Sequence, residues 1–409
     1  MNGLAAKNTK SAKDWPMARL GDVCEVIAGQ SPEGKYYTTD SSYTEFHQGC
    51  KAFGTKYLLS SNVYTKEISK LASAGSIVMS VRAPVGTVNI TRSEICIGRG
   101  LCAFKLSQKV DREYLYYYLL SSKKYLDDVA SAGTVFPSIS RKQLVEIQIP
   151  LPLLEVQREI VERLETELGE ADKVAANFRK IAEMADAEFK AELDETFGEL
   201  ERREFLTQRR KGAESAESAC PMVRLGDVCE KVARLKDIED SVISYIDISS
   251  VDRATKKVVE TKEYDRKSAP GRAQQVVEKN DVLVSTVRPN LNAVAIVENS
   301  SSNQLIASTG FCVLRANEQI QSRYIYYFVQ DGQFIGKLVT VSEKASYPSV
   351  TDTIVKDVYI PLPPLSVQKG IVAKLDAAKE RCEKLKAEAE RGLKAAENLR
   401  KAILSEAFE

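Results

Sequence analysis

Side chains able to carry covalent chemistry are few in this sequence, and none stands in a pattern that would activate it. The one histidine, His47, has no partner motif around it and reads as an exposed loop residue, whereas a general base needs a neighbour to orient it. No GxxxxGKS/T phosphate loop occurs. The closest glycine pair, Gly98 and Gly100 in IGRGLC, lacks the third glycine of a dinucleotide fingerprint. No Asn/Asp-Pro-Pro-aromatic tetrapeptide of the amino-methyltransferase kind is present. Eight cysteines are scattered without a CxxC pair, which signals neither a zinc site nor a disulfide framework. They read as reduced, mostly buried thiols. Carboxylates are plentiful but fall on helical stretches, at positions suited to ion pairing. The expectation is a chain that catalyses nothing itself.

Two aromatic stretches could do non-covalent chemistry. YLYYYLL from Tyr114 and YIYYFVQ from Tyr324 could stack nucleobases, but their helical spacing reads first as one face of a packed helix. Their likeness to each other belongs to a larger repeat. IPLPLLEVQREIVERL from Ile149 and IPLPPLSVQKGIVAKL from Ile360 agree at ten of sixteen positions, 211 residues apart. PMARLGDVCE from Pro16 and PMVRLGDVCE from Pro221 agree at nine of ten. Between these anchors IVMSVRAPVGTVNI faces VLVSTVRPNLNAVAI, GLCAFKL faces GFCVLRA, and FPSIS faces YPSVT. The chain is therefore two tandem halves, 16–211 and 221–409. The echo fails over 26–74 and 231–279, as expected of one device copied and aimed at two targets, or of drift in unconstrained loops.

Each half begins with short β-branched runs broken by Gly, Pro and Asn, such as SIVMSV and DVLVSTV, which predict strands. After each IPLP the pattern changes. Val156, Ile160, Leu164, Leu168, Ala171, Ala175, Phe178, Ala182, Ala185, Phe189 and Leu193 recur at steps of three and four. Val367, Ile371, Leu375, Ala378, Cys382, Leu385, Ala389, Ala396, Leu399 and Ile403 do the same. Such spacing predicts two helices of about 46 residues, each about 70 Å long. Gly169, Gly370 and Gly392 each weaken them by about 1 kcal/mol without breaking them. Each apolar stripe needs a cover, and the other copy is at hand. Like halves associating about a pseudo-two-fold axis make the pair antiparallel, with a globular domain at either end. The expected fold is α+β: two globular mixed α/β domains joined by two long helices in an antiparallel coiled coil. The expected segments are a flexible tail over 1–15, a domain over 16–150, a helix over 151–205, a linker over 206–220, a second domain over 221–361 and a helix over 362–409.

Composition is that of an ordinary globular protein, 44% hydrophobic and 28% charged over 409 residues. No apolar run approaches the roughly 18 residues that span a bilayer, and the polar start MNGLAAKNTKSAKDW has no signal-peptide core. A cytoplasmic protein is expected. The formal net charge is +1, unevenly spread: +6 over 1–150, −5 over 151–211, −2 over 212–360 and +2 over the rest. Binding to nucleic acid through charge alone is not indicated.

The RLGDVCE openings, both IPLPxLxVQ boundaries, the DVLVSTVRPNLNAVAIV and ASTGFCVLRA stretches and the ending LRKAILSEAFE together resemble the specificity subunit of type I restriction–modification systems. The resemblance covers essentially the whole chain. It implies two target recognition domains, each reading one half of a bipartite, asymmetric sequence in double-stranded DNA, with the paired helices setting the gap. It also implies two adenine-N6 methyltransferase subunits as partners, and often two restriction/translocase subunits besides. Those partners, not this chain, would use S-adenosylmethionine, ATP and magnesium; no cofactor or metal is expected here. Base edges are read by Arg, Lys, Asn, Gln and Ser, so under this resemblance the residue types and their loops make Lys35, Tyr36, Arg82, Arg92 and Arg99 the expected DNA contacts of the first half. In the second the expected contacts are Arg288, Asn290, Asn292, Lys344 and Ser346. A scaffold carrying two protein- or glycan-binding heads on a coiled-coil spacer would share the architecture. It would not shift a bipartite duplex in the presence of a methyltransferase. A self-sufficient modifying enzyme would transfer methyl groups alone.

Overall fold

The computed structural model describes residues 15–131, 137–209, 220–237, 241–298, 303–343 and 348–408. The chain forms two compact units, one of residues 1–179 with 390–409 and one of residues 180–389. Among the described residues no helix is long and apolar enough to cross a membrane.

In the first unit, Met17–Arg19 pairs antiparallel with Gln148–Pro150, so the RLGDV opening and the IPLP close clasp each other. Inside this clasp lies a four-stranded antiparallel sheet in the order Cys24–Ala28, Leu101–Leu106, Ile77–Ser80, Val88–Ile90. Cys24–Ala28 alternates, with Cys24 and Val26 buried and Glu25 exposed. Ile77–Ser80 is buried throughout, the signature of a strand covered on both faces. The divergent stretch builds a second, five-stranded sheet in the order Tyr37–Thr38, Tyr64–Thr65, Thr44–His47, Ile95–Ile97, Leu71–Ala72. Thr44–His47 runs parallel to Ile95–Ile97.

The second unit repeats the frame. Met222–Arg224 clasps Tyr359–Pro361, around a sheet in the order Cys229–Glu230, Phe311–Ala316, Val282–Ser285, Val294–Ile296. Its divergent stretch builds something else: a four-stranded sheet in the order Lys262–Asp265, Val242–Ile246, Gln304–Ser308, Ala273–Val277, and a hairpin of Val251–Asp252 with Lys257–Val258. The halves therefore share one sheet and differ in the other.

The tyrosine stretches form the helices Arg112–Ser121 and Ser322–Phe328. Asp111 caps the first by accepting from the Tyr114 N–H. Tyr114, Tyr116, Tyr117, Tyr324, Tyr326 and Tyr327 are buried, so both stripes belong to the core and offer no stacking platform. Tyr114 donates to the Pro150 carbonyl at 2.8 Å, and Tyr324 to the Pro361 carbonyl at 2.9 Å.

The repeated VQ has an equally local cause. Gln157 is fully buried; its Nε2 donates to the carbonyls of Pro152 (2.8 Å) and Lys109 (3.1 Å), and its Oε1 accepts from the Asp111 N–H (2.8 Å). Gln368 does the same with Pro363 (2.9 Å), Gln319 (3.0 Å) and Gln321 (2.9 Å). One side chain thus satisfies three backbone groups, in register, where each long helix leaves its domain.

The long helices run Leu154–Arg209 and Leu365–Glu406, 56 and 42 residues. The first continues four residues past the expected limit of 205. Within the first unit Asp172 pairs with Arg400 and Phe178 packs on Gly392. Within the second, Asp186 pairs with Lys386 at 2.8 Å and Glu192 with Arg381 at 3.0 Å. Numbers rise on one helix as they fall on the other, which is an antiparallel coiled coil. Its seam differs from the expected stripe at three places, because Val367, Leu385 and Leu399 are exposed. Small residues hold the buried line instead: Ala378, Cys382, Ala389 and Ala396, which let two backbones approach closely. Phe408 packs on Tyr114 and Tyr118 in the first unit, and Phe197, its repeat counterpart, packs on Tyr324 and Phe328 in the second. Six of the eight cysteines are buried.

Candidate nucleic-acid interface

In the first unit two glycine-bearing loops meet. The Gly29 N–H bonds to the Leu101 carbonyl at 2.9 Å and the Gln30 N–H to the Ile97 carbonyl at 2.9 Å. A Cβ on Gly29 would run into the Gly98 carbonyl, and one on Gly100 into that of Gln48. Glycine at both places permits the approach. The Arg99 N–H then donates to Ser31 Oγ at 3.2 Å, which joins the Arg99 loop to the one carrying Lys35 and Tyr36. Lys35 is exposed on the turn Gly34–Tyr36, 2.6 Å from Glu33 and 4.9 Å from the centroid of the Tyr36 ring. Its charge is partly answered at home. Arg92 lies 4.9 Å from the Tyr57 ring centroid, and Arg82 is exposed where its backbone bridges to Ser138. The structure thus brings Lys35, Tyr36 and Arg99 to one loop pair; Arg82 and Arg92 sit on separate turns of the frame sheet.

His47 requires a correction. It is no exposed loop residue but the last residue of a strand, 2% exposed. The strand TEFH does not alternate: Phe46 and His47, which point to opposite faces, are both buried where it pairs with Ile95–Ile97. Its Nε2 stands 3.5 Å from Glu45 Oε1 without forming a hydrogen bond. Burial pushes the imidazole below its ordinary value, with Glu45 opposing. Over this sheet lies a cleft of about 450 Å³, lined among others by Tyr37, Gln48, Lys51, Ser60 and Ser61. These polar side chains escaped sequence reasoning, because strands as short as two residues give no periodic signal.

In the second unit Arg288, Asn290 and Asn292 share one turn. Arg288 and Asn292 both have left-handed backbones, φ 50° and 43°, a region asparagine tolerates better than most residues. The Arg288 N–H bonds to the Pro348 carbonyl at 2.8 Å, so both Arg288 and Asn290 are held on the surface. Arg288 is not the structural counterpart of Arg82. Arg82 bridges to Ser138 and Val287 bridges to Ser349, so Val287 takes the place of Arg82. Lys344 and Ser346 lie outside the described residues. A cleft of about 440 Å³ opens beside the divergent sheet here too, lined by Lys257, Glu260, Thr261 and Glu298 among others.

The family model described as "Type I restriction modification DNA specificity domain" matches this chain twice, over residues 12–170 and 219–394. The chain belongs to that family. Each family domain holds one clasp, one shared sheet, one divergent sheet and the start of one long helix. Among relatives, the MjaX specificity subunit of Methanocaldococcus jannaschii is 39% identical over 155 residues, covering 37% of this chain and 36% of its own. The MjaVIII specificity subunit of the same organism is 22% identical over 393 residues, covering 89% and 85%. The match thus spans about a third of the first relative's length. In fold, the chain is similar to a structure solved in a study of complex assembly and conformational transition of the type I R-M system, with TM-score 0.70 and 20% identity over 97% of each chain. It is also similar to the HsdS subunit of Thermoanaerobacter tengcongensis, with TM-score 0.52 and 20% identity over 98% of each.

Proposed function

We propose that this chain is the DNA-recognition subunit of a type I restriction–modification complex. One domain, 16–150, reads one half of a bipartite, asymmetric site, and the other, 221–361, reads the second half. The observation that carries this is the paired family match laid over two equal frames with unequal second sheets. Equal frames can meet equal partners, while unequal sheets present different side chains to different bases. The antiparallel helices fix the gap between the half-sites and offer equivalent docking places to two methyltransferase subunits, with restriction/translocase subunits joining the assembly. S-adenosylmethionine, ATP and magnesium belong to those partners; the chain itself catalyses nothing and works in the cytoplasm. The Arg99–Lys35–Tyr36 loop pair and the Arg288–Asn292 turn are its DNA-contacting elements, with Arg82, Arg92, Lys344 and Ser346 as further contacts.

Exchange of residues 16–148 for the matching domain of a homologue tests this, with sequencing of methylated adenines as the readout. One half of the methylated sequence should change and the other should not. Changes in both halves, or in neither, would contradict the modular reading.

A further inference from the structure

The Arg288–Asn292 turn is held from outside by a lysine. Lys256 sits at the tip of the hairpin Val251–Val258, and its Nζ donates to the Asn292 carbonyl. Its backbone is left-handed, φ 57°, where glycine or asparagine would sit at lower cost. The tip is fastened by Asp252, whose carboxylate accepts from the Ala254 N–H at 2.8 Å and the Thr255 hydroxyl at 3.0 Å. A strained backbone kept for a lysine points to a use for the ammonium group.

That ammonium has a cationic neighbour on the second long helix. Lys379 Nζ donates to the Tyr326 hydroxyl at 2.6 Å and stands 5.0 Å from the ring centroid. Both lysines are half-buried. Burial, together with Lys379 and Arg253, pushes Lys256 down to about 8. Among the described residues no carboxylate pairs with either lysine; Asp252, the acidic group bearing on Lys256, is engaged by the tip itself. The first unit differs. Around Tyr116, the repeat counterpart of Tyr326, the cations are Lys56 and Arg400, and each has a carboxylate, Glu165 and Asp172. Burial is the largest single influence on Lys56 and acts to lower it, but the bond to Glu165 together with the charges of Tyr117, Glu165 and Glu113 makes the net shift upward. Two half-buried ammonium groups without a counter-charge make a seat for an anion.

We propose that Lys256 and Lys379 jointly seat one backbone phosphate of the duplex read by the second domain, an inference that rests on the DNA-reading role above. A phosphodiester is favoured over a partner protein's carboxylate because Lys256 is bonded to the very turn that presents Arg288 and Asn290. The seat fixes register and carries no base preference. It also gives the stretch 212–360, of net charge −2, a local positive centre, with one lysine from that stretch and one from the long helix that follows it.

The test is duplex affinity against salt concentration, for the chain assembled with its methyltransferase subunits, with Lys256→Asn, Lys379→Gln and the double variant. Asparagine suits the left-handed backbone, so a thermal midpoint no lower than wild type is expected for Lys256→Asn. The double variant should lower the slope of log K against log salt by about one, as loss of one shared phosphate contact requires. The loss should be equal on cognate and unrelated duplexes, with the methylated sequence unchanged. Duplex binding with an unaltered slope would overturn the seat, as would a fall of two or a loss of subunit assembly at unchanged slope. A wild-type complex that holds no duplex would instead overturn the reading beneath it.

Discussion

Replacing Gln157 with leucine keeps its bulk and removes all three of its hydrogen bonds. The Pro152 carbonyl is then left buried without a donor, while the Lys109 carbonyl and the Asp111 N–H are only partly sheltered. A buried group left unpaired costs about 1–3 kcal/mol, and the two sheltered groups about 0.5–1 kcal/mol each. The sum is about 3 kcal/mol, roughly a hundredfold in the folding equilibrium. The loss falls where the first long helix joins its domain. Gln368 makes the same three bonds in the second unit, so Gln368→Leu should cost the same to within about 1 kcal/mol, the usual spread of such values. Urea denaturation followed by circular dichroism reads both variants, and amide exchange at Asp111 and Gln321 localises the damage. A cost below 1 kcal/mol at either glutamine would refute the staple. So would slowed exchange at those two N–H groups.

Three further outcomes are expected. Gly392→Ala should gain about 1 kcal/mol of helix propensity yet destabilise the protein by about 1–3 kcal/mol, because its Cβ would collide with atoms of the Phe178 ring. Phe178→Leu in the same chain should restore the thermal midpoint, and a stabilised single variant would disprove the packing. Asp331 caps the helix Gly332–Ser342; burial pushes its carboxyl up to about 6, with Asp194 adding to the rise and the Phe334 N–H opposing. A folded value above the unfolded one, about 3.9, stabilises fully below that pH and is lost as pH rises through about 6. Asp331→Asn should therefore flatten the stability curve between about pH 4 and 6, and a curve parallel to wild type would count against the assignment.

An internal repeat is the one comparison a lone sequence carries, and it made the frame legible. PMxRLGDVCE and IPLPxLxVQ mark the strands of each clasp, and the three-and-four spacing marks the long helices. What periodicity could not resolve was which apolar residues face inward. Leu385 and Leu399 match the pattern as well as Ala389 does, yet the seam closes on the small residues, since Phe178 needs the space that Gly392 leaves. His47 was misplaced for a related reason: a four-residue strand gives too little alternation to announce itself. Candidate contacts were legible by type alone. Arg288 and Asn290 are the right residues for base edges, but Lys256 is distinguished only by its φ angle and by a neighbour on another element.

The repeat also separates two demands on the chain. Gln157 and Gln368, Tyr114 and Tyr324, and Phe197 and Phe408 keep the same partners in both units, because a joint that satisfies buried backbone groups tolerates almost no substitution. The second sheets answer to no such constraint: their strands need only pair, and their outward side chains are free to differ. Under the proposed function this division is required. Two like partner subunits can grip only equal joints, and an asymmetric site can be read only by unequal faces. A symmetric protein would have served a palindrome; the five-stranded sheet in one unit and the four-stranded sheet in the other fit a site that is not one.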